Sequence, residues 1–126
     1  MKKEIYSIKA PKPIGPYSQC VKSGNIIFIS GQIAINPQTN EIITKNISDE
    51  TKMVMENLKH ILKECNCTFE NIVKCSIFLS DMNLFEKVNE IYSQYFSKPF
   101  PARETIEVSK LPKNVNLEIS AIAICK

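Results

Sequence analysis

Arg103 is the only arginine in a chain whose other 15 basic residues are all lysines. A guanidinium is a planar fork that meets a carboxylate with two parallel hydrogen bonds, a geometry an ammonium does not offer. A lone arginine can equally be an ordinary surface charge, but Arg103 stands just after Pro99 and Pro101 and just before a strand-like run, which favours a task. The second candidate is Glu118, in the middle of the terminal apolar run 115–124, where a strand disfavours charge. Two readings of it stand side by side. On an exposed face Glu118 merely solubilises a sheet edge; at a buried interface, desolvation raises its pKa and suits it to move a proton. Glu107 poses the same ambiguity with less around it.

Other chemistries lack their residues. Ser, Cys and Thr side chains have one histidine, His60, to serve them, so nucleophile triads of the usual kind are not supported. Three glycines, Gly15, Gly24 and Gly31, form no phosphate-cradling loop. The five cysteines, Cys20, Cys65, Cys67, Cys75 and Cys125, have no CxxC pairing and read as free thiols in a reducing compartment. The chemistry outlined is modest, with no metal and no cofactor.

Composition bounds the rest. A chain of 126 residues, 44% hydrophobic and 23% charged, fits one domain spanning 1–126 with one core. The net charge of +3 is spread along the chain, which argues against a nucleic-acid or membrane stripe. No apolar run approaches the ~20 residues of a membrane span, and Met1-Lys2-Lys3 leads into Glu4 rather than into the apolar stretch of a signal peptide. These features predict a cytoplasmic protein.

The elements that must position the candidates follow from periodicity. Residues 3–9 alternate as a short strand; Pro11, Pro13 and Pro16 then impose a stiff loop able to hold Tyr17 in place. Residues 18–21 and 25–30 read as a hairpin about Gly24, the second strand apolar on both faces and therefore central. Turn signals fill 35–48. Ser48 is expected to cap a helix with Asp49 and Glu50 in its first turn. Its buried stripe would be Thr51, Val54, Met55, Leu58, Ile61, Leu62 and Cys65, leaving His60 solvated. A strand over 72–80 follows. Asp81 is expected to cap a second helix whose Leu84, Phe85, Val88, Ile91, Tyr92, Tyr95 and Phe96 make a core face rather than a ligand box. Strands over 104–108 and 115–124 close the chain, the last with Asn116, Glu118 and Ser120 on its polar face. The sum is an α+β sandwich, one mixed sheet against two helices. One sheet face is left uncovered, which oligomerisation would remedy.

Five ordered stretches carry a resemblance: Ile14-Gly15-Pro16-Tyr17-Ser18-Gln19, Ser30-Gly31-Gln32, Val88-Asn89, Phe100-Pro101-Ala102-Arg103, and Leu117-Glu118-Ile119 with Ala121-Ile122-Ala123. In order and spacing, from about Ala10 to Ile124, the chain resembles the RidA (YjgF) family. The resemblance implies a chorismate-mutase-like fold, a homotrimer with sites between subunits, and no cofactor. It implies hydrolysis of 2-iminobutanoate, 2-iminopropanoate and 2-aminoacrylate, the products of pyridoxal-phosphate-dependent dehydratases, to 2-oxo acids and ammonia. By the same resemblance Arg103 would hold the substrate carboxylate and Glu118 would position or activate water. Tyr17, Ser30 and Asn89 would line the pocket, and the Thr105 backbone would complete the water's hydrogen bonds. Several bacterial relatives carry Cys at the position of Thr105, so any thiol-dependent behaviour is not expected here. The competing expectations are a ligand-binding or chaperone role without turnover, and a ribonuclease or translation inhibitor. Balanced charge, one His and one Arg argue against the nuclease.

Overall fold

A computed structural model describes residues 1–126. Six strands form one sheet: β1 (Lys2–Ile5), β2 (Cys20–Ser23), β3 (Ile26–Gln32), β4 (Ile72–Leu79), β5 (Ala102–Glu107) and β6 (Leu117–Ile124), with helices α1 (Ile47–Glu64) and α2 (Phe85–Ser93). The strand order is β1-β2-β3-β6-β4-β5. Every pairing is antiparallel except β4 with β5, which are parallel and joined through α2. The expected α+β sandwich, one mixed sheet against two helices, is the architecture observed. No helix is long and apolar enough to cross a membrane.

The core lies between the sheet and α1. Ile27, Ile29, Cys75, Ile77, Leu79, Leu117, Ile119, Ala121 and Ala123 line the covered sheet face, against Val54, Met55, Leu58, Ile61 and Leu62 from the helix. All seven positions expected on the buried stripe of α1 are buried, while His60 is part-exposed beside it. The opposite sheet face carries no helix. There Phe28 is 45% exposed and Ile106 44%, so this chain leaves apolar area in water that a second surface would cover.

Several boundaries differ from the periodicity. The first strand ends at Ile5, because the Ser7 amide donates to Gln19 Oε1 at 2.7 Å instead of to a neighbouring strand. Helix α1 starts two residues earlier than Ser48 predicts: Asn46, in extended backbone, accepts the Asp49 amide at 2.8 Å and is the cap. Asp81 caps a short 3-10 turn, Met82–Leu84, that feeds into α2, rather than the α-helix itself. Pairing with β4 draws β5 back to Ala102, so Arg103 lies within a strand and not ahead of it. Cys67 and Cys125 form a disulfide across 58 residues, with Cα atoms 6.2 Å apart, which corrects the expectation of five free thiols. The loop after α1 and the end of β6 converge there, at a Cα separation a disulfide accommodates. Cys20, Cys65 and Cys75 are free and buried.

Candidate functional site

The six predicted site residues fall into two groups. Arg103 lies on the covered face of the edge strand β5, in register with Cys75. Its Nη1 donates to Asn89 Oδ1 at 2.8 Å, and its guanidinium carbon sits 5.0 Å from the Tyr92 ring centroid and 5.7 Å from that of Phe85. Asn89, Phe85 and Tyr92 all come from α2, the crossover between the two parallel strands, so one helix supplies every contact that holds the fork. No carboxylate pairs with Arg103; the one ion pair of the chain joins Lys74 to Glu104 on the other sheet face. Asn89, Tyr92, Ser93, Phe100, Pro101 and Arg103 line an open cavity of about 280 Å³. Thr105, two residues further along β5, has a buried Oγ1 with no hydrogen-bond partner.

Glu118 is in register with Phe78, on the uncovered face. Tyr17, Ser30, Gly31 and Glu118 share a second cavity of about 340 Å³. A β-bulge builds it. Between the pairs Ile29↔Ala121 and Gln32↔Ile119, β3 spends one residue more than β6, which places Ser30 and Gly31 beside the glutamate. A Cβ at Gly31 would overlap the Glu118 carboxyl group, with Cδ 2.7 Å and Cγ 2.9 Å away, so only glycine leaves this carboxyl its place. Burial pushes the Glu118 carboxyl above the usual glutamate range. Of its two sequence readings, the solvated sheet edge is the one the geometry disfavours. Glu107 instead accepts the Met82 amide at 2.8 Å and serves the turn before α2.

Tyr17 reaches this cavity from the proline loop, and Gln19 holds that loop. Gln19 is fully buried and gives its Nε2 to the carbonyls of Pro11 at 2.8 Å and Ser7 at 3.1 Å, with Ala10 at 3.3 Å. Ser30 Oγ donates to the Ser18 carbonyl at 2.6 Å, tying the bulge to the same loop. Neither Gln19 nor the role of Gly31 is visible in composition or periodicity, and Tyr92, read from its spacing as core, is both core and wall of the Arg103 cavity. Glu50, by its position a helix-end charge, is buried and accepts both the Asn116 amide at 2.7 Å and Asn116 Nδ2 at 2.8 Å, pinning the start of β6.

Arg103 and Glu118 thus lie on opposite faces of one sheet: Cys75 and Phe78, their partners on β4, are an odd number of residues apart. Within one chain the arrangement offers an unpaired guanidinium in one cavity and a desolvated carboxyl in another. No group of three or more His, Cys, Asp or Glu side chains converges in a way that could hold a metal ion.

The chain resembles known proteins over its whole length. A family model described as Endoribonuclease L-PSP matches residues 7–125. A RutC family protein of Pyrococcus abyssi is 52% identical over 122 residues, 97% of this chain and 96% of that one. The human 2-iminobutanoate/2-iminopropanoate deaminase is 44% identical over 124 residues, covering 98% and 90% of the two chains. The crystal structure of E. coli TdcF with bound serine superposes with a TM-score of 0.93 at 39% identity, covering 98% of this chain and 99% of that one. With its motifs in order, its fold shared and its family model matched nearly end to end, this chain belongs to the YjgF/RidA family.

Proposed function

We propose that this protein hydrolyses 2-imino acids and their 2-enamino tautomers, among them 2-iminobutanoate, 2-iminopropanoate and 2-aminoacrylate, to 2-oxo acids and ammonia. The observation that carries this reading is the part-buried Arg103 guanidinium, held in a cavity by Asn89 with no acidic partner of its own. A fork so placed lacks an anion, and a small 2-imino acid brings a carboxylate that fits it. The name of the human relative and the serine bound to TdcF support an amino-acid-sized ligand.

The chemistry needs one water. Arg103 holds the carboxylate and fixes the imine carbon; Glu118, raised by burial, takes a proton from water as its oxygen bonds to that carbon. That proton passes to the imine nitrogen to give the carbinolamine; its hydroxyl proton then reaches the same nitrogen by way of Glu118 as the C–N bond breaks and the C=O bond forms, so that ammonia leaves and the 2-oxo acid remains. The Thr105 backbone completes the water's hydrogen bonds, which a change from Cys to Thr leaves intact. Tyr17, Ser30 and Asn89 close the pocket. No cofactor enters this scheme.

Since Arg103 and Glu118 face away from each other within one chain, the working site is formed between two copies: Arg103, Asn89 and Thr105 from one, Glu118, Tyr17 and Ser30 from the next. The uncovered apolar sheet face supports a homotrimer of one such domain, with three shared sites. This reading sets the protein in the cytoplasm, beside the dehydratases that make the imines. A coupled assay tests it: purified protein added to a threonine dehydratase with threonine should accelerate loss of the imine and release of 2-oxobutanoate. No acceleration would leave a ligand-binding or chaperone role. The family model's description favours one other reading, RNA cleavage. The site supplies one guanidinium and one carboxyl, without a histidine or a basic groove, and digestion of a labelled RNA should show no cleavage above buffer.

A further inference from the structure

Tyr92 touches Arg103 more closely than any other aromatic ring, and the reading of Arg103 as carboxylate anchor does not account for it. Its ring centroid lies 5.0 Å from the guanidinium carbon, inside the ~6 Å over which a cation is drawn to an aromatic face. Tyr92 is 6% exposed and is wedged against Phe96, with centroids 4.6 Å apart, so the ring itself is fixed by packing. Its hydroxyl is buried, and with Cys75 and Arg103 as polar neighbours it still makes no hydrogen bond of acceptable geometry. A tyrosine serving the core alone would place that oxygen against a donor or acceptor. A guanidinium on a four-bond stem is mobile, and Asn89 restrains only one of its two terminal nitrogens.

We propose that Tyr92 is a positioning residue: its ring is the platform that fixes the plane of the Arg103 fork, so that the edge not used by Asn89 is presented flat to the ligand carboxylate. This rests on the anchor role of Arg103. Two hydrogen bonds to a carboxylate need the fork and the carboxylate coplanar, and a face-on aromatic contact restricts that orientation where a single hydrogen bond from Asn89 leaves rotation free. The hydroxyl makes no hydrogen bond of good geometry to Cys75 or Arg103, so the ring should be what matters.

Two variants separate the parts. Tyr92→Leu fills most of the volume without a π face, and should raise KM for 2-iminobutanoate and Kd for 2-oxobutanoate by roughly 3- to 30-fold, the range of a partly desolvated cation–π contact, with kcat changed less than about threefold. Tyr92→Phe keeps the ring and should recover most of that lost affinity. Because Arg103 is the sole arginine, selective ¹⁵N and ¹³C labelling gives one guanidinium signal, read without any substrate. In the wild type its side-chain protons should show an upfield ring-current shift, retained in Tyr92→Phe and reduced in Tyr92→Leu to what the Phe85 ring alone contributes. Random-coil shifts in the wild type would overturn the platform even if the Leu variant failed to fold. So would a Leu variant that keeps wild-type KM, or a Phe variant as impaired as Leu. If Arg103→Ala proves fully active, it is the anchor itself that fails; if Arg103→Ala is inactive while Tyr92→Leu binds normally, the anchor stands and the platform falls.

Discussion

Removing the Arg103 guanidinium tests the anchor directly. A hydrogen bond to a charged group contributes roughly 1.5–3 kcal/mol, so losing two in Arg103→Ala should lower kcat/KM by about 10²- to 10⁴-fold. Arg103→Lys keeps the charge without the fork and should restore part of the loss; full restoration would show that charge alone suffices. Glu118 makes a prediction in pH. Burial raises its carboxyl above the ordinary 4.5, so its contribution to stability is complete below that value and is lost as pH rises through the elevated folded value. Glu118→Gln removes the loss: the variant should match the wild type in Tm near pH 4 and exceed it near pH 8, a crossover that thermal melts at several pH values would record. Activity runs the other way, since a base must be ionised. The acid limb of wild-type kcat/KM should lie above 4.5, and the Gln variant should lose that limb with kcat down by roughly 10²- to 10⁴-fold. A wild-type kcat/KM independent of pH through that limb, or a Gln variant with full kcat, would take Glu118 out of the mechanism.

Elements matter here through two local devices, the bulge in β3 and the helix between the parallel strands. Because Ser30 and Gly31 form the bulge, Glu118 gains room beside a backbone without a Cβ. Gly31→Ala should therefore force the carboxyl aside at little cost in stability, because what gives way is the end of a flexible side chain that borders a cavity. Since the Arg103 half of the site is untouched, binding of 2-oxobutanoate should change far less than kcat; equal losses in both would mean the bulge supports the whole fold rather than Glu118. Helix α2 has the complementary task. It bridges β4 and β5 in the sense a parallel pair demands, and the face it turns to the sheet carries Asn89 and Tyr92 to the guanidinium.

At the scale of the whole molecule, sheet geometry makes the strongest demand. The two candidate side chains, Arg103 and Glu118, lie on opposite faces and cannot meet in one chain, and one face leaves Phe28 and Ile106 in water. Sedimentation equilibrium should return three times the 14.3 kDa chain mass. A mixing experiment then tests site sharing. Inactive Arg103→Ala and inactive Glu118→Gln chains, unfolded together in equal amounts and refolded, should regain about a quarter of wild-type activity, because random assembly pairs an intact Arg103 with an intact Glu118 at one interface in four. Mixtures no more active than their components would place both groups within one subunit, contrary to their registers.

Local pattern by itself determined the α+β class, the buried stripe of α1 and the alternation of β6, since side-chain periods of 3.6 and 2 are written residue by residue. As candidates, Arg103 and Glu118 were legible as well, one as a lone guanidinium among lysines and the other as a charge inside an apolar strand. Only the tertiary structure decided what those residues face. Register across β4 sets Arg103 on the covered side and Glu118 on the uncovered one, and register depends on partners far away in the chain. Burial of Gln19, Glu50 and Asn57, polar residues that no hydrophobic pattern would place inside, likewise follows from the backbone groups they satisfy: loop carbonyls for Gln19, the Asn116 amide for Glu50, and the Ile33 and Ile35 carbonyls for Asn57. The Cys67–Cys125 link has the same origin, two positions 58 residues apart that meet only when the last strand is docked. Short-range pattern specifies which residues are apolar or charged, while long-range pairing specifies their neighbours, and the site is made of neighbours.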